Sequence, residues 1–199
     1  KNYGHENIQT LITLIGLGTA WGLLGDYEKE RDLQQRALEL LETKYPTHFT
    51  EISAVLDNLG KACGELGNHE MKKNLLIRSL EIKERLYNDK NHPQFAITLT
   101  NLGNAWGALG KYKEQKELLI RALQINENFY GMRHPRTCIT QINLAIAYYN
   151  EQQYDQSKEL LMRALEISKE YYGVEHQTTG IILVNLAAAW NSLGNHEEE

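Results

Sequence analysis

The stretch LGNAWGALGKYKEQKELLIRALQI, residues 102–125, decides how this chain folds. With Phe95 and Leu99 upstream, Leu102, Trp106 and Leu109 recur at three- and four-residue steps, the apolar stripe of an amphipathic helix. Gly110 breaks the stripe. A broader one follows, through Leu118, Leu119, Ala122, Leu123, Ile125, Phe129 and Tyr130. The segment GMRHP at 131–135 ends it with a glycine after the last periodic residue and a proline that cannot continue the helix. The pattern predicts two helices, A and B, joined by a tight turn.

The same hairpin recurs along the chain. LGTAWGLLGDYEKERDLQQRALEL (17–40), LGKACGELGNHEMKKNLLIRSLEI (59–82) and LAIAYYNEQQYDQSKELLMRALEI (144–167) repeat it, and LAAAWNSLGNHEEE begins a fifth copy at Leu186. The leading leucines Leu17, Leu59, Leu102, Leu144 and Leu186 are spaced by 42, 43, 42 and 42 residues. A single helical pair cannot bury both its apolar faces, so successive pairs must stack. The expected fold is all-α: an α-solenoid of stacked antiparallel helix pairs. One array spans 1–199, with repeats near 6–46, 47–88, 93–131 and 135–173 and a partial one at 177–199.

Leu102, Gly103, Trp106, Gly110, Tyr112, Ala122 and Leu123 stand at the spacing of the tetratricopeptide (TPR) signature, and the other copies match it at most positions. With its long repeat and its YG..HP connection, the chain resembles the TPR domains of kinesin light chains. The resemblance implies a right-handed superhelix whose concave face binds polypeptide. The opening YGHENIQTLITLIG matches YGMRHPRTCITQIN at 130–143, so Tyr3 is expected to end a preceding helix B, while GNHEEE is expected to open a last helix B. The helix near 178–193, with Leu183, Leu186 and Trp190, is then expected to expose an apolar face suited to self-association or to docking elsewhere in a larger protein.

Composition excludes several functions. A net charge of −5, with 24% charged residues, provides no electrostatic footprint for nucleic acid or an anionic membrane. The longest apolar runs, such as GIILV at 180–184, are too short to span a bilayer, and no secretory pattern opens the sequence. Cys63 and Cys138 form no pair motif and fit reduced packing thiols in the cytoplasm. No phosphate-binding loop, dinucleotide fingerprint, HExxH or CxxC is present. His92, His134 and His176 recur with the period in the connecting turns, about one repeat apart and too distant to share a metal with ligand bonds of about 2 Å. His69 and His196 stand where Tyr27, Tyr112 and Tyr154 pack in the other copies. The expectation is a non-enzymatic protein with no cofactor and no metal.

Helix A supplies the candidate binding face. Opposite the Leu99/Leu102/Trp106 stripe lie Ile97, Asn101 and Asn104. Asparagine recurs before the leading leucine as Asn58, Asn101, Asn143 and Asn185, and isoleucine four positions earlier as Ile97, Ile139 and Ile181. Lys61, Asn104 and Ile146 line the next turn. An amide both donates to and accepts from a peptide backbone. By resemblance, asparagines at this position hold an extended ligand's main chain; tying adjacent A helices together is the alternative role. Lys61 is the only basic residue of this lining, flanked by Asp57 and Glu65, so a largely neutral, partly apolar segment is the expected ligand. A structural or regulatory segment acting through oligomerisation or intramolecular docking is the second reading.

One feature of the helix pairs is not required by the TPR pattern. Gly22, Gly64 and Gly107 should face Glu30, Lys72 and Gln115 across the hairpin, whereas Tyr149 faces Ser157. A small residue on one helix opposite a long one on the other predicts size exchange at a close contact.

Overall fold

The computed structural model describes residues 8–197, with side chains described through Gly194. Among the described residues there are nine α-helices and no strand. The chain divides into two compact units, Lys1–Lys90 and Asn91–Glu199. The first holds the hairpins α1 (Ile8–Leu23) with α2 (Tyr27–Lys44) and α3 (Phe49–Glu65) with α4 (His69–Leu86). The second holds α5 (Pro93–Ala108) with α6 (Tyr112–Tyr130), α7 (Pro135–Asn150) with α8 (Tyr154–Tyr171), and α9 (Gln177–Glu197). Within each unit every helix packs on its successor, and A helices also touch each other: α1 meets α3, α5 meets α7 and α7 meets α9.

The turns follow from local chemistry. Gly25, Gly67 and Gly110 close the first three hairpins at φ of 80°, 81° and 73°, a left-handed conformation that glycine adopts without a Cβ clash. Gln152 takes φ of 60° in the fourth. Asp26 and Asn68 cap the following helices by accepting the N–H groups of Lys29 and Met71, each at 3.1 Å.

Between hairpins the YG..H motif is a capping device. Nδ1 of His92, His134 and His176 accepts the backbone N–H of Gln94, Arg136 and Thr178, at 3.3, 3.1 and 3.1 Å. The rings of Tyr130 and Tyr172 stack on His134 and His176 with centroids 4.6 Å apart. Thr137 and Thr179 donate to the carbonyls of Gly131 and Gly173, both at 2.8 Å. These histidines therefore hold helix starts in register.

The expected turn at Gly194 does not form, because α9 continues through it to Glu197. A glycine permits a turn without imposing one; in the earlier hairpins the turn is accompanied by a helix B that packs back on its helix A. The expectation for Tyr3 and the side chain of His196 lie outside the described residues.

Each unit has its own core. Leu11, Leu38, Leu41, Val55, Leu56 and Leu59 close the first. Cys138, Ile142, Ala145, Leu161, Ala164 and Ile182 form a cluster in the second. Burial raises the Cys63 thiol above its ordinary value and pushes Cys138 up to about 11, so both are protonated packing residues near neutral pH.

The hairpin seams show the size exchange. A Cβ added to Gly22 or Gly107 would collide with the end of the Glu30 or Gln115 side chain, and one on Gly64 would meet Lys72 Cδ at 2.5 Å. In the fourth hairpin, where α7 has Tyr149, Ser157 is buried. The long side chains are therefore held inside the seam with polar ends: Glu30 Oε2 and Gln115 Oε1 are buried without a hydrogen-bond partner.

This arrangement has a pH signature. Burial pushes the Glu30 carboxyl above the usual carboxylate range; the positive charge of Lys61 opposes the rise and Glu65 adds to it. The folded state therefore holds a proton that the unfolded state has already released. Stability of the first unit should fall as pH rises from the ordinary carboxylate value through the raised one. Urea denaturation across that interval should show this slope in the unsubstituted chain and a flatter one in Glu30→Gln, which keeps the side-chain shape. An unchanged slope in the variant would assign the dependence to other groups.

Candidate binding face

Residues four apart on a helix lie one above the other, so Ile97 and Asn101 share a face of α5, as Ile139 and Asn143 do on α7 and Ile181 and Asn185 on α9. The isoleucines are 37%, 47% and 45% exposed, unusually open for their type. The asparagines are half-buried. No hydrogen bond joins one of these amides to another among the described residues; Asn185 Nδ2 donates back to the Ile181 carbonyl at 2.9 Å.

Packing of α5 against α7 brings Ile97, Asn101 and Ile139 to one open depression of about 280 Å³. Five further residues complete it, among them the polar Thr100, Asn126, Arg136 and Thr140 that the helix-A reading missed. Asn126 reaches the floor from α6, 5% exposed, and its Nδ2 donates to Thr140 Oγ1 at 2.8 Å. Thr140 Oγ1 in turn donates to the Arg136 carbonyl at 3.1 Å. The Arg136 guanidinium lies 5.3 Å from the Tyr130 ring centroid, within cation–π range. Isoleucine walls, amides, a hydroxyl and one guanidinium offer apolar contact together with hydrogen-bond donors and acceptors.

Asn126 has a legible signal in sequence, because it interrupts the apolar stripe of helix B. Its counterparts in the other repeats are Leu41, Lys83 and Ser168. Thr140 lies about one turn and Arg136 about two turns before Asn143, at positions that the count along the A helices did not bring forward.

Other expected residues are differently employed. Asn104 is half-buried on the next turn of α5, and Ile146 packs against the Cys138/Ile142/Ile182 cluster beside Leu186. Ile146 is thus part of the packing of the second unit rather than an open wall. In the first unit, Asn58 is half-buried and Lys61 directs its ammonium toward α2, with Nζ 5.8 Å from the Tyr27 ring centroid. Asp57, expected to flank Lys61 as an acidic neighbour, instead forms a 2.5 Å ion pair with Lys83 of α4 inside the unit. The basic group that opens onto the depression is Arg136. Among the described residues no cluster of three His, Cys, Asp or Glu could hold a metal, and no helix is long and apolar enough to cross a membrane.

Antiparallel helix pairs repeating about every 42 residues, each turned by a left-handed glycine or its substitute, define a helical-repeat scaffold. The chain belongs to the tetratricopeptide repeat family: profiles of that repeat match residues 53–94, 95–136 and 136–199. Its fold is shared with crystal structures of a Podosopora anserina protein described as a kinesin light chain with nearly identical TPR-like repeats. One of these is 22% identical, covering 97% of this chain and 91% of that one, with a TM-score of 0.78. A single-substitution variant of it is 21% identical, covers 99% of this chain and 92% of that one, and also has a TM-score of 0.78. BtubC (BKLC) from P. vanneervenii is 18% identical over 92% of this chain and 73% of its own, with a TM-score of 0.77. No curated protein matches the chain. Tetratricopeptide repeats are protein–protein interaction modules.

Proposed function

We propose that this chain is a non-enzymatic scaffold that holds a largely neutral, partly apolar polypeptide segment on the helix-A face of its second unit. The observation that supports it is the depression where Ile97 and Ile139 stand open to solvent beside the Asn101 amide, which has no partner among the described residues. An apolar side chain of the ligand fills the depression. Asn101 and Asn143 bond its main chain, Asn104 lies beside them, and Ile181 with Asn185 continues the face on α9. Asn58 repeats the position in the first unit. Lys61 is engaged with Tyr27 and has the lesser part.

The test selects binders from a displayed library of ten-residue peptides and measures their affinity for the chain and its variants. Asn101→Ala with Asn143→Ala should weaken binding about tenfold, the effect of losing about 1.4 kcal/mol of hydrogen bonding, with little change in melting temperature. Unchanged affinity would sink the reading. Arg136→Ala should have the smaller effect; a larger one would mean that the ligand is acidic.

A second reading is favoured by the open apolar face of α9, where Leu183, Val184 and Trp190 are exposed. Self-association through this helix is compatible with peptide binding at the α5/α7 depression.

A further inference from the structure

A depression of about 350 Å³ lies between α6 and α8 of the second unit and shares no lining residue with the α5/α7 depression. Among the described residues both helices pack on α7 but not on each other. Ile120 and Leu123 of α6, Leu160 of α8 and Tyr148 of α7 are half-buried and pack on the buried Leu144, which makes an apolar floor. Gln124 and Gln156, both exposed, stand at the rim with Glu127, Glu159 and Arg163. The first unit shows what this rim lacks. In repeat register Glu127 and Arg163 are the counterparts of Glu42 and Arg78, which form an ion pair between α2 and α4. In the second unit Arg163 pairs instead with Glu159 on its own helix, where the first unit has Asn74. The Glu127 carboxylate is left without a partner among the described residues. A position that receives a guanidinium in one unit is thus an unneutralised carboxylate beside an apolar floor in the other. The floor differs too, since Gln35 stands in the first unit where Ile120 stands in the second.

We propose that this groove seats a basic amphipathic helix of a partner protein. Its aliphatic side chains enter the floor, and an Arg or Lys beside them takes the place at Glu127 that Arg78 has at Glu42. The chemistry of the walls favours a helix over an extended segment. The main-chain groups of α6 and α8 are spent inside those helices, so the rim offers side chains alone and the occupant must satisfy its own backbone. A helix does so, and it presents apolar residues every three or four positions with charged ones alongside. The sign of the charge follows from the pairing: Arg163 is already neutralised by Glu159, whereas Glu127 is not neutralised. This second site makes no use of the α5/α7 depression, so the Asn101/Asn143 variant should bind the helix normally.

The test displays helices of about five turns on a helical scaffold, randomises one face, and selects binders to the full chain. Fluorescence anisotropy then measures their affinity for the chain and its variants. Binders should carry Leu, Ile or Met at three- and four-residue steps beside Lys or Arg. Glu127→Gln, which keeps the side-chain shape, should weaken them about threefold, the size of an exposed ion pair, and added salt should act in the same direction. Gln124→Arg with Gln156→Arg places two positive charges on the exposed rim. It should weaken binding by about tenfold or more, with helicity and melting temperature unchanged. A selection that yields no helix sensitive to these rim substitutions overturns the proposal. Enrichment of acidic helices also overturns it, because it would make Arg163 rather than Glu127 the charge that is read. Binders weakened by the Asn101/Asn143 variant and indifferent to the rim variants belong to the α5/α7 face, and a selection that gives only these overturns the proposal while leaving the peptide-binding reading intact.

Discussion

Lys83→Ala is expected to destabilise the first unit by about 3–5 kcal/mol, the cost of breaking a buried ion pair by removing one of its members. The Lys83 side chain is 3% exposed and that of its partner Asp57 is 12% exposed, with Nζ and Oδ2 2.5 Å apart. Neither charge can recover its hydration without opening the contact between α3 and α4. The first repeat shows that the site accepts an apolar residue, since the counterpart of Lys83 there is Leu41, which is fully buried. Replacing the pair together, Lys83→Leu with Asp57→Leu, should therefore cost much less than Lys83→Ala alone. The measurement is urea denaturation read by Trp21, in a background where Trp106 and Trp190 are phenylalanine. A loss below about 1 kcal/mol for Lys83→Ala would place the pair among weakly contributing surface bridges.

Gly107→Leu should destabilise the second unit by about 1–3 kcal/mol, the usual range for overpacking a close contact. The sign is informative, because removing a helical glycine should by itself stabilise the helix by about 1 kcal/mol. Gly16 supplies the control: a Cβ there meets nothing within 4 Å, so Gly16→Ala should be stabilising. At Gly107 the added side chain would displace Gln115, which is 5% exposed and fills the seam. Gln115→Ala should then rescue Gly107→Leu, giving a coupling of about 0.5–3 kcal/mol in a double-mutant cycle. Additive effects of the two substitutions would remove the size-exchange account.

Periodicity explains why so much of the architecture was legible. A stripe at 3.6-residue spacing is a property of one helix, and Phe95, Leu99 and Leu102 show it without any neighbour in view. Recurrence of the hairpin made the reading independent of any single residue. The seam partners were legible for the same reason: an antiparallel turn of known length fixes which residue faces which, and Gly64 does meet Lys72. The helix end at Gly194 was not legible, because a glycine permits a turn without imposing one and α9 runs on to Glu197.

The candidate face was only half legible. Ile97, Asn101 and Ile139 could be placed by counting along A helices, and they meet in one depression. Asn126 could not, because it arrives from helix B, and the depth at which a helix-B side chain enters the floor depends on how far neighbouring A helices spread. Ile146 and Lys61 occupy outward positions by helical count. Contact with the Cys138/Ile142/Ile182 cluster and with the Tyr27 ring, however, turns them into packing residues.

The sequence by itself determined the helices, their pairing and the repeat, since these rest on local periodicity and on turn residues that act over a few positions. Only the tertiary structure decided which polar side chains are spent inside. Asp57 and Lys83 find each other across two helices, Asn126 finds Thr140 across a repeat, and Glu30 is sealed under Gly22. Those outcomes depend on interhelical distances of a few ångströms, which packing sets and which no count along the chain contains.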